Sequence, residues 1–395
     1  MIWVCERGDG DLTCRTLTAP IQAGRLSLIV RHEDLPVERC LTYATRQNPR
    51  RLYLFVSKVL GKHWPVRPSV MRDIHVRLAA KIAALPGPLL VMGMAETATA
   101  LGRGVAEEAA ARAGRDDVLY LQTTRCRLSR PLAFAFDECH SHAPDHAVYL
   151  PGLELQPLFR AARSLVLVDD EISTGRTLVE LARAYLRFNP RLEQIALASI
   201  ANWLDAERRR KLALLLGRPV GFPALVEGGF QFEPDPDFPP PTLPVANVVA
   251  DRAHDGIAVD PACTGVLAGR WRSALASAFP EMVSRENPTE RPLAVIGTGE
   301  YAYTPFRLAL ALEEAGYDVR FQSTTRSPIV VGDAIASRRE FPDHYGDGIP
   351  NYLYNLDPDR LPVIIYEHPA MPAAHVLPGL LGGLAFTVEE SCRAW

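Results

Sequence analysis

Residues 164–177 read Ser-Leu-Val-Leu-Val-Asp-Asp-Glu-Ile-Ser-Thr-Gly-Arg-Thr, and their order decides how the rest of the chain is read. Residues 165–168 are apolar without a break, as in a strand buried on both faces. Two acids, Asp169 and Asp170, follow at once, and then the turn Ser173, Thr174, Gly175, Arg176, Thr177. Beyond it Leu178, Leu181, Ala182 and Tyr185 recur at helical spacing. Backbone N–H groups at a helix start lack partners and satisfy an anion. Gly175 allows a tight turn with no Cβ in the way of a phosphate, and the hydroxyls of Ser173, Thr174 and Thr177 offer further donors. Paired carboxylates suit another part of the same ligand. They accept hydrogen bonds from vicinal sugar hydroxyls, and they suit a hard Mg²⁺ that keeps its waters. Phosphate at the turn and diol at the acids together describe ribose 5-phosphate. An ordinary buried strand leading to a helix capped by Ser173 or Thr174 explains the hydroxyls, but not two acids at a strand's C-terminal end.

The segment resembles the signature by which type I phosphoribosyltransferases bind 5-phosphoribosyl 1-pyrophosphate (PRPP): apolar strand, Asp-Asp, then Thr-Gly-x-Thr. Glu171 departs from it, since many members carry an apolar residue there. Further on, Thr325-Arg326-Ser327-Pro328 is similar to the motif naming the C-terminal TRSP domain of the phosphoribosyltransferases of tellurium-resistance (Ter) gene clusters. The resemblance runs from about residue 26 to the end. It implies an α/β fold: a type I phosphoribosyltransferase domain with a Rossmann-like parallel sheet, then a second, smaller α/β domain. It also implies a Mg²⁺-dependent transferase that joins the ribosyl phosphate of PRPP to a base-like acceptor and releases pyrophosphate. Asp169 and Asp170 are the implied catalytic pair and, partly through water and PRPP, the Mg²⁺ ligands. Residues Ser173, Thr174, Gly175, Arg176 and Thr177 are the implied seat of the 5-phosphate. Membership of Ter-type clusters implies a nucleoside-like product and other biosynthetic enzymes of those clusters as partners. A PRPP sensor or scaffold without turnover, and a nucleotide phosphorolysis running in reverse, are the rival readings.

At 395 residues the chain exceeds one ordinary core, which points to two domains. The seam falls at residues 231–244, where six prolines argue against helix and interior strand. This divides the chain into residues 1–230, a Pro-rich link and residues 245–395. A net charge of −3 and a pI near 6.4 carry no nucleic-acid footprint. No apolar run is long enough for a membrane span, and the N-terminus lacks the pattern of a secretion signal. The seven cysteines are scattered without a C-x-x-C pair, which fits a reducing cytoplasm. A homodimer is compatible with all of this.

Strands are expected at 89–92, 118–122, 165–168 and 195–200, with helices at 69–85, 97–113 and 177–188. Such alternation reads as a parallel sheet covered on both faces. The same grammar returns with strands near 293–296, 319–322 and 363–366. Gly93-Met-Ala-Glu96, a helix and Thr-Thr-Arg125 match Gly297-Thr-Gly-Glu300, a helix and Thr-Thr-Arg326 in the same order. Duplication and convergence on a common βαβ unit both account for this repeat.

Gly93, Met94, Ala95, Glu96 and Thr97 leave a strand and enter a helix. The resemblance assigns this loop to the pyrophosphate or the acceptor, with Arg125 and Lys58 as cationic partners; a plain βα connection is the alternative. The basic cluster of Arg50, Arg51, Lys58 and Lys62 is read either as a phosphate contact or as a solvated face. The long polar stretch 123–149 reads as a hood over the ligand. Its Cys139, His140, His142 and His146 match no standard zinc spacing. In the second half Gly297, Gly299, Glu300, Thr325, Arg326 and Ser327 mark a polar site. Acceptor binding, a second reaction and an interdomain surface remain open for it.

Overall fold

The computed structural model describes residues 3–4, 14–136, 146–239, 241–242, 260–269 and 274–388. Its larger sheet has ten strands. The five at its centre are parallel, in the order Val118–Gln122, Leu89–Gly93, Ser164–Ile172, Gln194–Asn202, Ala224–Pro234. The sheet is mixed rather than wholly parallel. Gly24–Glu33 pairs antiparallel with Ala224–Pro234, and Arg15–Ile21 pairs antiparallel with Gly24–Glu33. The alternating burial of Gly24–Glu33 is the pattern of an antiparallel strand with one wet face.

The proline-rich seam also differs from expectation. Its first four residues, 231–234, continue an interior strand, with Gln231 opposite Ser27 and Pro234 opposite Gly24. Proline is tolerated because Pro234 is the strand's last residue. Past the seam, Val266–Leu267 pairs with Val118–Gln122, so the chain revisits the first sheet before building the second.

Helices Pro68–Ile82, Thr99–Ala113 and Arg176–Phe188 lie close to their expected spans. Thr99–Ala113 is rich in Ala and Gly and is buried along most of its length, up to Ala110. Small residues let it approach its neighbours closely: a Cβ on Gly102 would lie 2.7 Å from the Cα of Gly93.

The second sheet has four parallel strands, in the order Val319–Ser323, Leu293–Gly297, Leu361–Tyr366, Leu384–Thr387. Its core draws in Val66, Met71 and Ala100 from the first half. The link is also a backbone one. Val66 and Phe321 exchange hydrogen bonds of 2.9 and 2.7 Å, and Ser323 N donates to Gly61 O at 2.8 Å. Gly61 has φ +69°, and a Cβ there would meet the Phe321 ring at 2.7 Å, so only glycine fits. Among the described residues, no helix is long and apolar enough to cross a membrane.

Candidate functional site

Strand Ser164–Ile172 runs on through both acids instead of ending at Val168. Its pairing with Leu89–Gly93 stops at Val168 opposite Gly93, whereas its pairing with Gln194–Asn202 continues to Ile172 opposite Asn202. Asp169 and Asp170 therefore project past one neighbour while the other still holds their backbone. Both are partly exposed. Asp170 Oδ1 accepts a hydrogen bond from Thr97 Oγ1 at 2.9 Å, which ties the acid strand to the loop after Gly93.

The turn that follows places Gly175 at φ +71°, directly before helix Arg176–Phe188. Thr174 Oγ1 receives Arg176 N at 3.4 Å. Thr174 and Arg176 are exposed, and Ser173 and Thr177 partly so, which leaves the helix start open to an anion. A Cβ on Gly175 would lie 2.7 Å from Leu212 Cδ1, a flexible tip that can give, but the left-handed φ is strained for any other residue. Gly175→Ala is expected to cost about 1–3 kcal/mol of stability and to weaken PRPP binding about tenfold or more. Denaturant unfolding and titration calorimetry read the two effects separately.

In the loop after Gly93, Met94 N donates to Val168 O at 3.0 Å and Ala95 N to Thr123 Oγ1 at 2.9 Å. The Ala95–Glu96 peptide is cis. The amides of Glu96 and Thr97 bond to no other described residue, so two adjacent donors are left beside Asp170. The helix itself begins at Thr99, two residues later than expected.

The carboxylate of Glu96 does not face a substrate. It pairs with Lys62 Nζ at 2.9 Å and accepts Arg326 N at 3.1 and 3.2 Å. Burial opposes its ionisation, but Lys62 above all, with Arg326 and Arg125, overrides that and holds its pKa down at about 2, from an ordinary 4.5. A depressed carboxyl stabilises the fold fully above its unfolded pKa and loses that contribution as pH falls through the folded value. Unfolding free energy is therefore expected to fall more steeply between pH 4.5 and about 2 in the wild type than in Glu96→Gln. Urea titrations across that window measure it.

Lys58 is not at this site. Its ammonium donates to Glu38 O at 2.9 Å and lies 6.0 Å over the Trp64 ring. Buried Lys62, four residues on, is the lysine that reaches the loop. Arg51, read either as a phosphate contact or as part of a solvated face, is held by an acid of the signature strand. Its Nη2 sits 2.9 Å from both carboxylate oxygens of Glu171. Burial pushes the Glu171 carboxyl upward and Arg51 counters it. This pair accounts for the acid at a position where an apolar residue was expected. The only sequence signal was that oddity, since nothing local links residues so far apart.

The expected hood contains a hairpin of Leu132–Phe136 with His146–Tyr149. His146 is buried, stacks on Phe136 and lies 3.1 Å from Thr123 Oγ1. Cys139, His140 and His142 lie outside the described residues. Among the described residues, no cluster of three metal-ligating side chains occurs.

The second-domain residues turn back toward the first. Glu300 accepts Thr124 Oγ1 at 2.6 Å and Arg125 N at 2.9 Å, and its carbonyl accepts Thr99 Oγ1 at 2.9 Å. Lys62 Nζ donates to Gly299 O at 2.8 Å. Gly297 ends a strand, and Gly299 N donates to Thr324 Oγ1 at 2.8 Å. Ser327 N donates to Thr325 Oγ1 at 3.1 Å. The structure thus gathers Glu96, Arg125, Glu300 and Arg326 at one interface, beside the Thr97–Asp170 contact.

Acids at the C-terminal end of a central parallel strand, with an open helix start beside them, place the protein among α/β enzymes that seat anionic ligands there. Residues 40–229 match the family model described as phosphoribosyl transferase, and residues 268–381 match the TRSP domain that lies C-terminal to it. The protein is a phosphoribosyltransferase with a TRSP domain. No curated protein matches the chain. Solved structures with local similarity include the Giardia lamblia APRTase complexed with 9-deazaadenine (15% identity, 40% of this chain, 80% of that one, TM-score 0.28). Another is the adenine phosphoribosyl transferase of Trypanosoma brucei with AMP, pyrophosphate and ribose-5-phosphate (14%, 50%, 82%, 0.36). A third is the orotate phosphoribosyltransferase of Aeropyrum pernix (11%, 44%, 79%, 0.26).

Proposed function

We propose that the chain transfers the 5-phosphoribosyl group of PRPP to a nitrogen of a base-like small molecule, releasing pyrophosphate. The observation that carries this reading is the Thr97–Asp170 contact. It ties the loop that carries the two unpartnered amides of Glu96 and Thr97 to the acid strand, which leads on to the glycine-turned helix start. In that arrangement the Ser173–Thr177 turn takes the 5-phosphate and Asp169 and Asp170 take the ribose hydroxyls. The amides of Glu96 and Thr97 face the pyrophosphate. Binding at the remote phosphate positions the reacting carbon. As the C1–pyrophosphate bond breaks, the sugar gains positive charge, and the field of the two carboxylates favours it.

Two partly exposed carboxylates form a hard-oxygen donor set that fits a Mg²⁺ retaining water and sharing substrate oxygens. Asp169 and Asp170 would hold it. When bound, it offsets negative charge on the pyrophosphate. Resemblance to Ter-cluster proteins favours a nucleoside-like biosynthetic product, and the scattered cysteines without a C-x-x-C pair favour a cytoplasmic setting.

The test is pyrophosphate release from PRPP with Mg²⁺ and a broad panel of heterocyclic acceptors. Acceptor-dependent release supports the transferase. Tight PRPP binding with no release across the panel would instead favour a PRPP sensor.

A further inference from the structure

The two sheets share more than their outline. Strands 118–122, 89–93, 164–172 and 194–202 recur as 319–323, 293–297, 361–366 and 384–387, in the same order and all parallel. The turns repeat in detail. Thr123 N donates to Gly93 O and Thr324 N to Gly297 O, each at 3.0 Å. Ala95 N donates to Thr123 Oγ1, and Gly299 N to Thr324 Oγ1. Leu128 N donates to Tyr149 OH and Ile329 N to Tyr354 OH.

Contacts between the units are reciprocal. Glu96 accepts the amide of Arg326, and Glu300, which matches Glu96, accepts the amide of Arg125, which matches Arg326. Position i against j′ and i′ against j is the isologous pattern of two like units about a twofold axis. Here one chain supplies both units.

The units differ where the sugar would sit. Val168 pairs with Gly93 and Ile365 with Gly297, so Glu367 stands where Asp170 does. Its buried carboxylate is already occupied by Tyr345 OH, by His344 Nε2 at 3.4 Å and by Thr298 Oγ1 at 3.2 Å. His368-Pro369-Ala370 follows in place of a hydroxyl- and glycine-rich turn. The second unit therefore lacks a phosphosugar seat but keeps the interface.

We propose that the C-terminal domain is a positioning half of the phosphoribosyl-transfer site, with Glu300 as its main positioning residue. Glu300 holds Thr124 and the Arg125 amide, and the adjacent Thr123 hydroxyl holds Ala95 N. The Arg326 amide from across the interface, and Lys62 from the first domain itself, hold Glu96. The loop is thereby gripped at Ala95 and at Glu96, which keeps the open amides of Glu96 and Thr97 aimed at a pyrophosphate. The inference rests on the transferase reading above, and its test separates the two.

The full chain is titrated calorimetrically in Mg²⁺ with PRPP, pyrophosphate and ribose 5-phosphate. Glu300→Gln keeps one acceptor and loses the one serving the Arg125 amide. It is expected to bind PRPP and pyrophosphate about tenfold more weakly, with ribose 5-phosphate affinity unchanged. Thr124→Val removes the partner hydroxyl, should show the same selective loss, and carries the test if Glu300→Gln does not fold. An equal loss for all three ligands, or no loss for any, overturns the positioning role while leaving the transferase reading intact. A wild-type chain that binds neither PRPP nor ribose 5-phosphate overturns both.

Discussion

Replacing Asp170 with asparagine is expected to slow pyrophosphate release from PRPP by about 10²–10³-fold without unfolding the protein. Asparagine has nearly the same shape, and its side-chain oxygen still accepts the Thr97 hydroxyl that Asp170 Oδ1 accepts at 2.9 Å. The substitution therefore removes charge and little else. Because Asp170 is partly exposed, no buried group loses its partner. The turn at 173–177, proposed above to seat the 5-phosphate, is untouched, so ribose 5-phosphate should bind as before. The effect belongs in turnover, where charge develops on the sugar, more than in affinity. Wild-type turnover in this variant would remove the acid pair from the chemistry.

The largest expected stability effect lies at Lys62. Its side chain is 3% exposed and that of Glu96 is 8% exposed, with 2.9 Å between ammonium and carboxylate. Lys62→Met strands a buried carboxylate and also takes a donor from Gly299 O. Breaking a buried pair from one side costs about 3–5 kcal/mol, whereas removing both charges costs much less. Lys62→Met should therefore be destabilised by about that amount in denaturant titrations. Adding Glu96→Gln in the same chain should recover part of the loss. A single variant within about 0.5 kcal/mol of wild type would mean the pair contributes little to the interface.

What could be read from sequence was what sequence holds locally. Strand, acids, turn and helix at 164–188 are contiguous, and the structure assembles them in that order. The central strands and the helices of the first domain lie within a few residues of their expected ends. The contacts that shape the site were not legible, because their partners are remote. Glu96 meets Arg326, Thr124 meets Glu300, and Arg51 meets Glu171. Lys58 and Lys62 look alike in a basic stretch, and only folding tells which one is buried. The Thr-Thr-Arg repeat was visible, but a repeat says nothing about whether its copies touch. The antiparallel N-terminal pair was missed although Leu26, Leu28 and Val30 alternate inward, because exposed Ile29 makes residues 28–30 read as one apolar run.

Residues 61–66 lie ahead of most of the first sheet, yet they pair with strand Val319–Ser323, near the far end of the chain. A ribosome delivers Lys62 long before it delivers the edge that fixes it. Until strand 319–323 is made, residues 61–66 have no edge to pair with. Long-range pairing of this kind delays folding. A nascent chain that ends before residue 319 carries all of the 164–177 segment and still lacks the strand that residues 61–66 pair with.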